Sequence, residues 1–541
     1  MRNKNETPRE LFENLESGSS IREINFILQD RTGIVDFFRS IEHLENFKEQ
    51  ISGGFKHDDD RKKDDMGDFQ TPMSLVNRVC KILVEKGFNP SIIIEPTVGI
   101  GNFIIAALNH FPGIEKIYCI ELQEAHEWIF KRNLLEWALS TKTDMLPSIE
   151  FYRDNIFTHQ FPSTLLSQGK SGLRELLILG NPPWMTNTEL SLLDSNNVPE
   201  KRNVYNHKGI DAITGKGNFD IGEAVVVKIL ENFLGTNANI AMLCKTTVIR
   251  NIIKGARKKK MSLSNIKSIK INAKKEFGIN ADASLFIANL RKPGKLTCDV
   301  SKLDSSTETA HSYGWVGDKF VSNVARYEKY KYLDGISPIE WRQGVKHDAI
   351  KVMVLDRNPD GSYTNGLRET VDLEDGLMYP FLRGVDLKGD IITESNKFVL
   401  ITQKKLNQDT SFISKEYPKA WAYLEKHGEQ LDGRKSKIYK GKNRFSIFGI
   451  GDYAFKPYKV GIAGLYKDPS FSLIHPISGK PAMLDDTCYF LHFEDLKKAK
   501  TAWKHLNSSE VGEFLKSIAF LDAKRPFKKE ILSRVDLGQL M

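Results

Sequence analysis

The sequence predicts an α/β protein: a mostly parallel sheet with helices on both faces, followed by a second, mixed α/β domain. Three observations predict it. Between Ser91 and Arg250 short, almost wholly apolar runs alternate with amphipathic helical stretches, the pattern of strands buried on both faces. A glycine-rich turn joins the first run directly to a helix, as at the ligand-binding edge of open parallel sheets. Beyond about Pro293 that rhythm stops, and short alternating segments such as KVGIAGLY (459–466) and TCYFLHF (487–493) take over.

In chain order, residues 1–65 read as an N-terminal helical segment and charged linker. Apolar residues recur at helical spacing in IREINFILQ and IVDFFRSIEHLENF, and the mixed-charge run HDDDRKKDDMGD follows them. Residues 66–292 hold the parallel sheet. The first strand is Ile92-Ile93-Ile94, and NFIIAALNHF is the helix after the turn. IYCIEL is the second strand, followed by a helix around Trp128 to Leu139. IEFY, LLILG and NIAMLCKTTVI supply three more strands. Residues 293–339 read as a connection and 340–541 as the second domain.

Composition narrows the function classes. Of 541 residues, 40% are hydrophobic and 27% charged, enough apolar surface for real cores and too much for a disordered chain. The net charge of +9 permits a polyanionic partner wherever the basic residues cluster. Cys80, Cys119, Cys244, Cys298 and Cys488 are scattered and never paired as C-x-x-C, which excludes a thiolate zinc site and fits a reducing compartment. The charged N-terminus lacks a signal-peptide core, and no apolar run approaches the roughly 18 residues a membrane span needs. The expectation is a soluble, cytoplasmic protein with no metal site.

Chemistry concentrates at the ends of the strands. After the first strand comes Glu95-Pro96-Thr97-Val98-Gly99-Ile100-Gly101. A dinucleotide loop would carry a third glycine and avoid a carboxylate beside phosphate. An acid here suits an ammonium group instead. Glu121 ends the second strand about twenty residues on, where a carboxylate can hold two ribose hydroxyls. Asp154 follows the third strand, where it can accept from an exocyclic adenine amine. The fourth strand ends in Gly180-Asn181-Pro182-Pro183-Trp184. Two prolines fix φ and remove two backbone donors, leaving the asparagine oxygen and a proline carbonyl as paired acceptors beside a stacking aromatic.

In this order, Phe69-Gln70-Thr71-Pro72, Glu95-Pro96-x-x-Gly99-x-Gly101, Glu121, Asp154 and Asn181-Pro182-Pro183-Trp184 resemble the gamma-class amino-methyltransferases of bacterial restriction–modification systems. The resemblance covers residues 66–292 by motif, and residues 340–540 more loosely resemble that family's DNA target-recognition domain. It implies a Rossmann-like methyltransferase sheet and S-adenosylmethionine as cofactor. It also implies double-stranded DNA as partner, a cognate restriction endonuclease alongside, and a bacterial or archaeal cytoplasm. Thr71, Pro72, Glu95, Pro96, Gly99 and Gly101 match positions around the methionine part of the cofactor. Glu121 matches the ribose ligand, and Asp154 with Ile156 or Phe157 matches the adenine loop. Asn181, Pro182, Pro183 and Trp184 match the catalytic loop, Asn181 also bordering the cofactor. Trp184 and Phe277 match aromatics that stack on the flipped target base, although tyrosine or phenylalanine is commoner than tryptophan in the loop. Gly217-Asn218-Phe219-Asp220 resembles the next motif poorly. The implied reaction is methyl transfer to adenine N6, with cytosine N4 as the alternative.

Cytosine-C5 chemistry needs a nucleophilic cysteine, typically after proline, and no Pro-Cys pair exists. A nuclease is the rival class, from Pro359-Asp360 and Asp386-Leu387-Lys388; a non-catalytic DNA-binding subunit is another. Gly209 to Lys216 has the wrong spacing for a phosphate loop. For DNA the candidates are Lys435, Lys437, Lys440, Lys442 and Arg444, within a run from Arg434 to Lys459 of eight basic residues and one acid. A second run, Lys254 to Lys275, carries nine basic residues and no acid.

Overall fold

The computed structural model describes residues 8–14, 19–53, 69–141, 146–185, 220–304 and 309–538, in two compact units that divide between Phe320 and Val321. In the first unit, helices α1 (Pro8–Asn14), α2 (Ile21–Thr32) and α3 (Ile41–Gly53) precede α4 (Met73–Glu85). The alternation then runs β1 (Ile92–Glu95), α5 (Asn102–His110), β2 (Lys116–Glu121), α6 (Glu124–Ser140), β3 (Ser148–Arg153), α7 (Ser163–Ser171) and β4 (Leu176–Gly180). After it come α8 (Ile221–Phe233), β5 (Ala238–Lys245), α9 (Thr246–Lys258), β6 (Ser264–Asn272), α10 (Ala273–Phe277) and β7 (Asp282–Asn289). Strands β8 (Thr297–Lys302), β9 (His311–Val316) and β10 (Lys319–Val321) complete the unit's sheet.

The ten strands lie in the order β10-β9-β8-β6-β7-β5-β4-β1-β2-β3. From β3 to β5 every pairing is parallel, whereas β7 runs antiparallel to both β5 and β6. The expected α/β class holds. Ile93, Ile117, Leu177 and Leu243 face one core together with α4, α5 and α6. Their neighbours Ile92, Ile94, Ile120, Ile178 and Met242 are equally buried on the other face, which is why these strands carry no polar alternation. The sheet does not stop near residue 292. Strands β8 to β10 extend it through a stretch that lacks a βα rhythm because its pairings, β6 with β8 and β8 with β9, need no covering helix between them.

The N-terminal helices pack onto the sheet domain. Phe12, Phe37, Phe38 and Phe47 form an edge-to-face cluster, and Phe47 reaches Trp128 on α6. Glu127 and Lys131, one turn apart on α6, are buried as an ion pair at 2.7 Å that Arg39 completes. Backbone bonds from Val35 to Ile149 and from Ile149 to Gly33 cover the outer edge of β3, an edge that would otherwise be open to a foreign strand. Among the described residues no helix is long and apolar enough to cross a membrane.

The second unit contains a five-stranded sheet, with Tyr458–Ala463 between Cys488–Phe493 and Phe471–Ile474, and a six-stranded sheet centred on Val354–Arg357 and Lys397–Leu400. Helix Leu496–Leu506 seals the first sheet through Trp503, whose indole donates to the Phe471 carbonyl at 2.7 Å. Lys459, part of the basic run in the sequence, lies inside this sheet. It is 1% exposed, and its ammonium donates to the Lys456 carbonyl at 2.9 Å. It is therefore withdrawn from any surface role.

Burial pushes the Lys459 ammonium down to about 7. The unfolded chain would hold that proton up to about pH 10.4, so between these values stability rises with pH. Lys459→Met is expected to raise the melting temperature most at about pH 6.5 and progressively less toward about pH 10. Thermal unfolding followed by circular dichroism across that range checks it, and a pH-independent gain would contradict the burial argument.

Candidate functional site

The winding of the sheet reverses beside β1: β2 and β3 build outward on one side, β4 and β5 on the other. Ligand crevices in open sheets form at the carboxyl ends of the strands at such a reversal. A cleft of about 500 Å³ opens there. The turn after β1 places Gly99 at φ 54° and Gly101 at φ 87°, a region L side chains rarely adopt. A Cβ on Gly101 would also stand 2.2 Å from the Phe130 ring, and one on Gly99 2.6 Å from Gln70 Oε1.

Glu121 holds that turn. Its carboxylate accepts the Gly99 N–H and the Gln123 N–H, each at 2.8 Å, with His126 Nδ1 3.5 Å away. The side chain that the sequence assigns to a sugar diol is thus also a structural acceptor for the glycine turn. A carboxylate has about four lone-pair sites, so capacity for a ligand's hydroxyls remains.

Thr71, Glu95, Pro96, Gly99, Glu121, Asp154, Ile156, Asn181 and Pro183 line the cleft; Pro72, Gly101, Pro182, Trp184 and Phe277 do not. Pro72 is the N-cap of α4, and a Cβ on Gly101, the N-cap of α5, would meet the Phe130 ring.

Glu95 is 2% exposed, and its Oε2 is buried without a partner among the described residues. Burial first, and the negative charge of Glu121 second, push its carboxyl well above the usual range. The other titratable neighbours, Cys80 on α4 and Cys119 on β2, are buried thiols that offer no compensating charge. A cation brought into the cleft would reverse this balance.

The loop after β4 is strapped from the N-terminal side. Asn181 Nδ2 donates to the Phe69 carbonyl at 3.1 Å and to Thr71 Oγ1 at 3.2 Å, while Asn181 Oδ1 is buried with no partner among the described residues. The same strap holds the glycine turn: Ile100 N–H donates to Gln70 Oε1 at 3.2 Å and Asn102 Nδ2 to the Thr71 carbonyl at 2.8 Å. On the far side, Lys245 at the end of β5 donates to the Trp184 carbonyl at 2.9 Å and pairs with Asp220 at 2.8 Å. The motif reading missed Lys245, although it ends a parallel strand as Glu121 does. Of Gly217-Asn218-Phe219-Asp220 only Asp220 lies within the described residues; it caps α8 through the Glu223 N–H.

Trp184 is buried against Phe277, the rings edge-to-face with centroids 5.1 Å apart, and Phe69 lies 6.4 and 6.2 Å from the two. The sequence-expected aromatic pair is brought together, and its rings meet directly, with no gap for a third ring between them. In the second unit Lys435, Lys437 and Lys440 are exposed and have no carboxylate partner among the described residues, and Lys442 donates to Asn407 Oδ1 at 3.0 Å. Arg444 differs: Glu425 and Asp432 engage its guanidinium at 2.7 and 3.0 Å, so a phosphate would have to displace both. Of the nuclease pattern, Asp360 caps the turn at Ser362 and Asp386 accepts the Arg383 N–H. Among the described residues no group of three or more His, Cys, Asp or Glu could hold a metal.

No family model matches the chain. Over 489 residues it is 40% identical to the Type II methyltransferase M.NspV of Nostoc sp. (strain ATCC 29411 / PCC 7524), spanning 90% of this chain and 98% of that protein. It is similar to the solved type IIL restriction–modification enzyme MmeI in complex with DNA at 11% identity, over 97% of this chain and 70% of that one, with a TM-score of 0.48. It is also similar to the type IIG restriction endonuclease BpuSI at 13% identity, over 87% of this chain and 59% of that one, with a TM-score of 0.36.

Glu95 has a testable cost. The folded chain keeps its proton above about pH 4.3, where the unfolded chain loses it, so this group lowers stability as the pH rises. Glu95→Gln is expected to raise the melting temperature at about pH 8 and to leave it nearly unchanged at about pH 4. Equal shifts at both values, measured by scanning calorimetry, would contradict a buried neutral carboxyl.

Proposed function

Because the chain belongs to the Type II methyltransferases of restriction–modification systems and its cofactor is S-adenosylmethionine, we propose that it methylates the N6 amine of an adenine flipped out of duplex DNA. One observation carries the reading. Among the described residues Asn181 Oδ1 is a buried acceptor without a donor, held in that orientation because Phe69 and Thr71 occupy the amide nitrogen. Buried acceptors are left unpaired at a cost, and a site that awaits a donor supplies the reason.

The cleft fits the cofactor group by group. Glu95 would hold the ammonium, which would favour its ionised carboxyl; Glu121 would hold the ribose hydroxyls; Asp154, with Ile156, would hold the adenine. Bound there, the cofactor presents a sulfonium methyl group. Asn181 Oδ1 and the Pro182 carbonyl would accept hydrogen bonds from the two N–H groups of the target amine. Those bonds would draw the nitrogen lone pair out of the ring system for direct in-line displacement: the N–C bond forms as the C–S bond breaks, the thioether leaves, and the surplus amine proton passes to water. Positioning and fixed dipoles do the catalysis, without a covalent enzyme intermediate. Flipping the base costs a few kcal/mol, offset in part when Trp184 and Phe277 part and stack on it. An asparagine opens the N-P-P loop, where cytosine-N4 enzymes usually carry serine, and this favours adenine over cytosine. The lysines of the second unit hold the phosphates, and a cognate endonuclease reads the same sequence.

Asn181→Ala is expected to lower methyl transfer by about a hundredfold or more while cofactor affinity survives. Tritiated methyl transfer to DNA carrying the cognate site measures the first, calorimetry the second, and mass spectrometry of the digested product identifies the base. Near wild-type transfer by Asn181→Ala would sink the reading.

Neutralising Lys435, Lys437 and Lys440 together is expected to weaken binding to all DNA sequences alike. It should also flatten the salt dependence by about one unit for each phosphate no longer neutralised. An unaltered slope in fluorescence-anisotropy titrations would remove these lysines from the interface.

A further inference from the structure

The turn after β3 contains a buried hydrogen-bond chain that the methyl-transfer step leaves unused. His159 is 5% exposed and sits between Tyr118 and Asp154. Its Nε2 is 2.7 Å from the Tyr118 hydroxyl, and its Nδ1 is 2.7 Å from Asp154 Oδ2. A carboxylate accepts, so Nδ1 donates to it, and in the neutral ring Nε2 then accepts from the tyrosine hydroxyl. The ring cannot rotate away: Phe161 meets it edge-on at 5.3 Å, and Tyr152 does so at 5.4 Å. Asp154 Oδ1 accepts the Asn155 N–H at 2.7 Å, and the turn is closed by His159 N–H to the Asn155 carbonyl at 2.8 Å and Phe157 N–H to Asn155 Oδ1 at 3.0 Å. The Asp154 backbone N–H also donates to the Glu121 carbonyl at 2.9 Å. Asp154 nonetheless keeps 45% of its side chain open toward solvent and lines the cleft.

We propose that His159, backed by Tyr118, is a positioning residue that fixes the rotamer of Asp154 so that its free lone pairs meet the 6-amino group of the cofactor's adenine. This rests on the reading of Asp154 as the adenine acceptor. A half-exposed aspartate samples several rotamers in water. One oxygen gripped by an imidazole that is itself gripped by a tyrosine holds a single one. The same logic orients metal-bound and catalytic groups through a second partner. The arrangement makes the cofactor subsite selective for an amino purine, since its contribution exists only where the purine carries a donor at position 6.

The test uses the full chain and two probes: S-adenosylhomocysteine, and its analogue in which hydrogen replaces the 6-amino group. His159→Phe is expected to weaken the first roughly tenfold and the second hardly at all, by calorimetric titration. His159→Asn, whose amide can still donate to Asp154, should recover most of the loss. Tyr118→Phe should give a smaller loss with the same selectivity. An equal loss for both probes would reduce His159 to a support for the turn and overturn the proposal, as would full affinity of His159→Phe for S-adenosylhomocysteine. Asp154→Ala separates the two levels. If it does not discriminate between the probes, the adenine reading of Asp154 falls. If it does and His159→Phe does not, only the positioning role falls.

Discussion

The reversal of winding at β1 is the constraint on which the rest of the first unit depends. Right-handed crossovers oblige the chain to lay successive helices on one face while it builds outward in one direction, and on the other face once it turns back. The two sets of helices part above the strand from which both directions start. The carboxyl ends of β1, β2, β3 and β4 therefore border a common opening, and they carry Glu95, Glu121, Asp154 and Asn181. Four polar side chains distant in sequence become neighbours because each occupies the same place in a repeated unit.

Within that opening the carboxylates do different work according to their surroundings. Glu121 is anchored by two backbone N–H donors and serves the architecture whether or not anything is bound. Glu95 is buried with no donor to its Oε2 among the described residues, and its neighbour's charge makes ionisation harder still. One acid is built into the scaffold; the other is left without a compensating partner there. Such asymmetry between adjacent like groups is a frequent mark of a binding site.

Much of this was legible in the sequence because it depends on local pattern. A parallel strand buried on both faces is a short apolar run, and the residue ending it is read off directly, which located Glu95, Glu121, Asp154 and Asn181. What escaped depends on pairing or on direction. Strands β8 to β10 join the sheet through partners far along the chain, and no local period records that. Counting charges could not tell that Lys459 points into a sheet or that Arg444 is engaged by Glu425 and Asp432, because solvent exposure of an ammonium or guanidinium is a property of the packing. His159 carried no signal, as a lone histidine in a turn has many structural explanations. Its meaning comes only from the two groups at either end of its ring.

The strap across Asn181 has a consequence for fidelity. An amide free to rotate can offer oxygen or nitrogen, and so can greet an amine or a carbonyl equally well. Here the nitrogen is tethered to Phe69 and Thr71, leaving only the oxygen forward. On the proposed adenine reading, a base that presents a keto group in place of that amine, such as the hypoxanthine left by deamination, would set oxygen against oxygen. The slot would reject it by repulsion, before any question of reactivity arose.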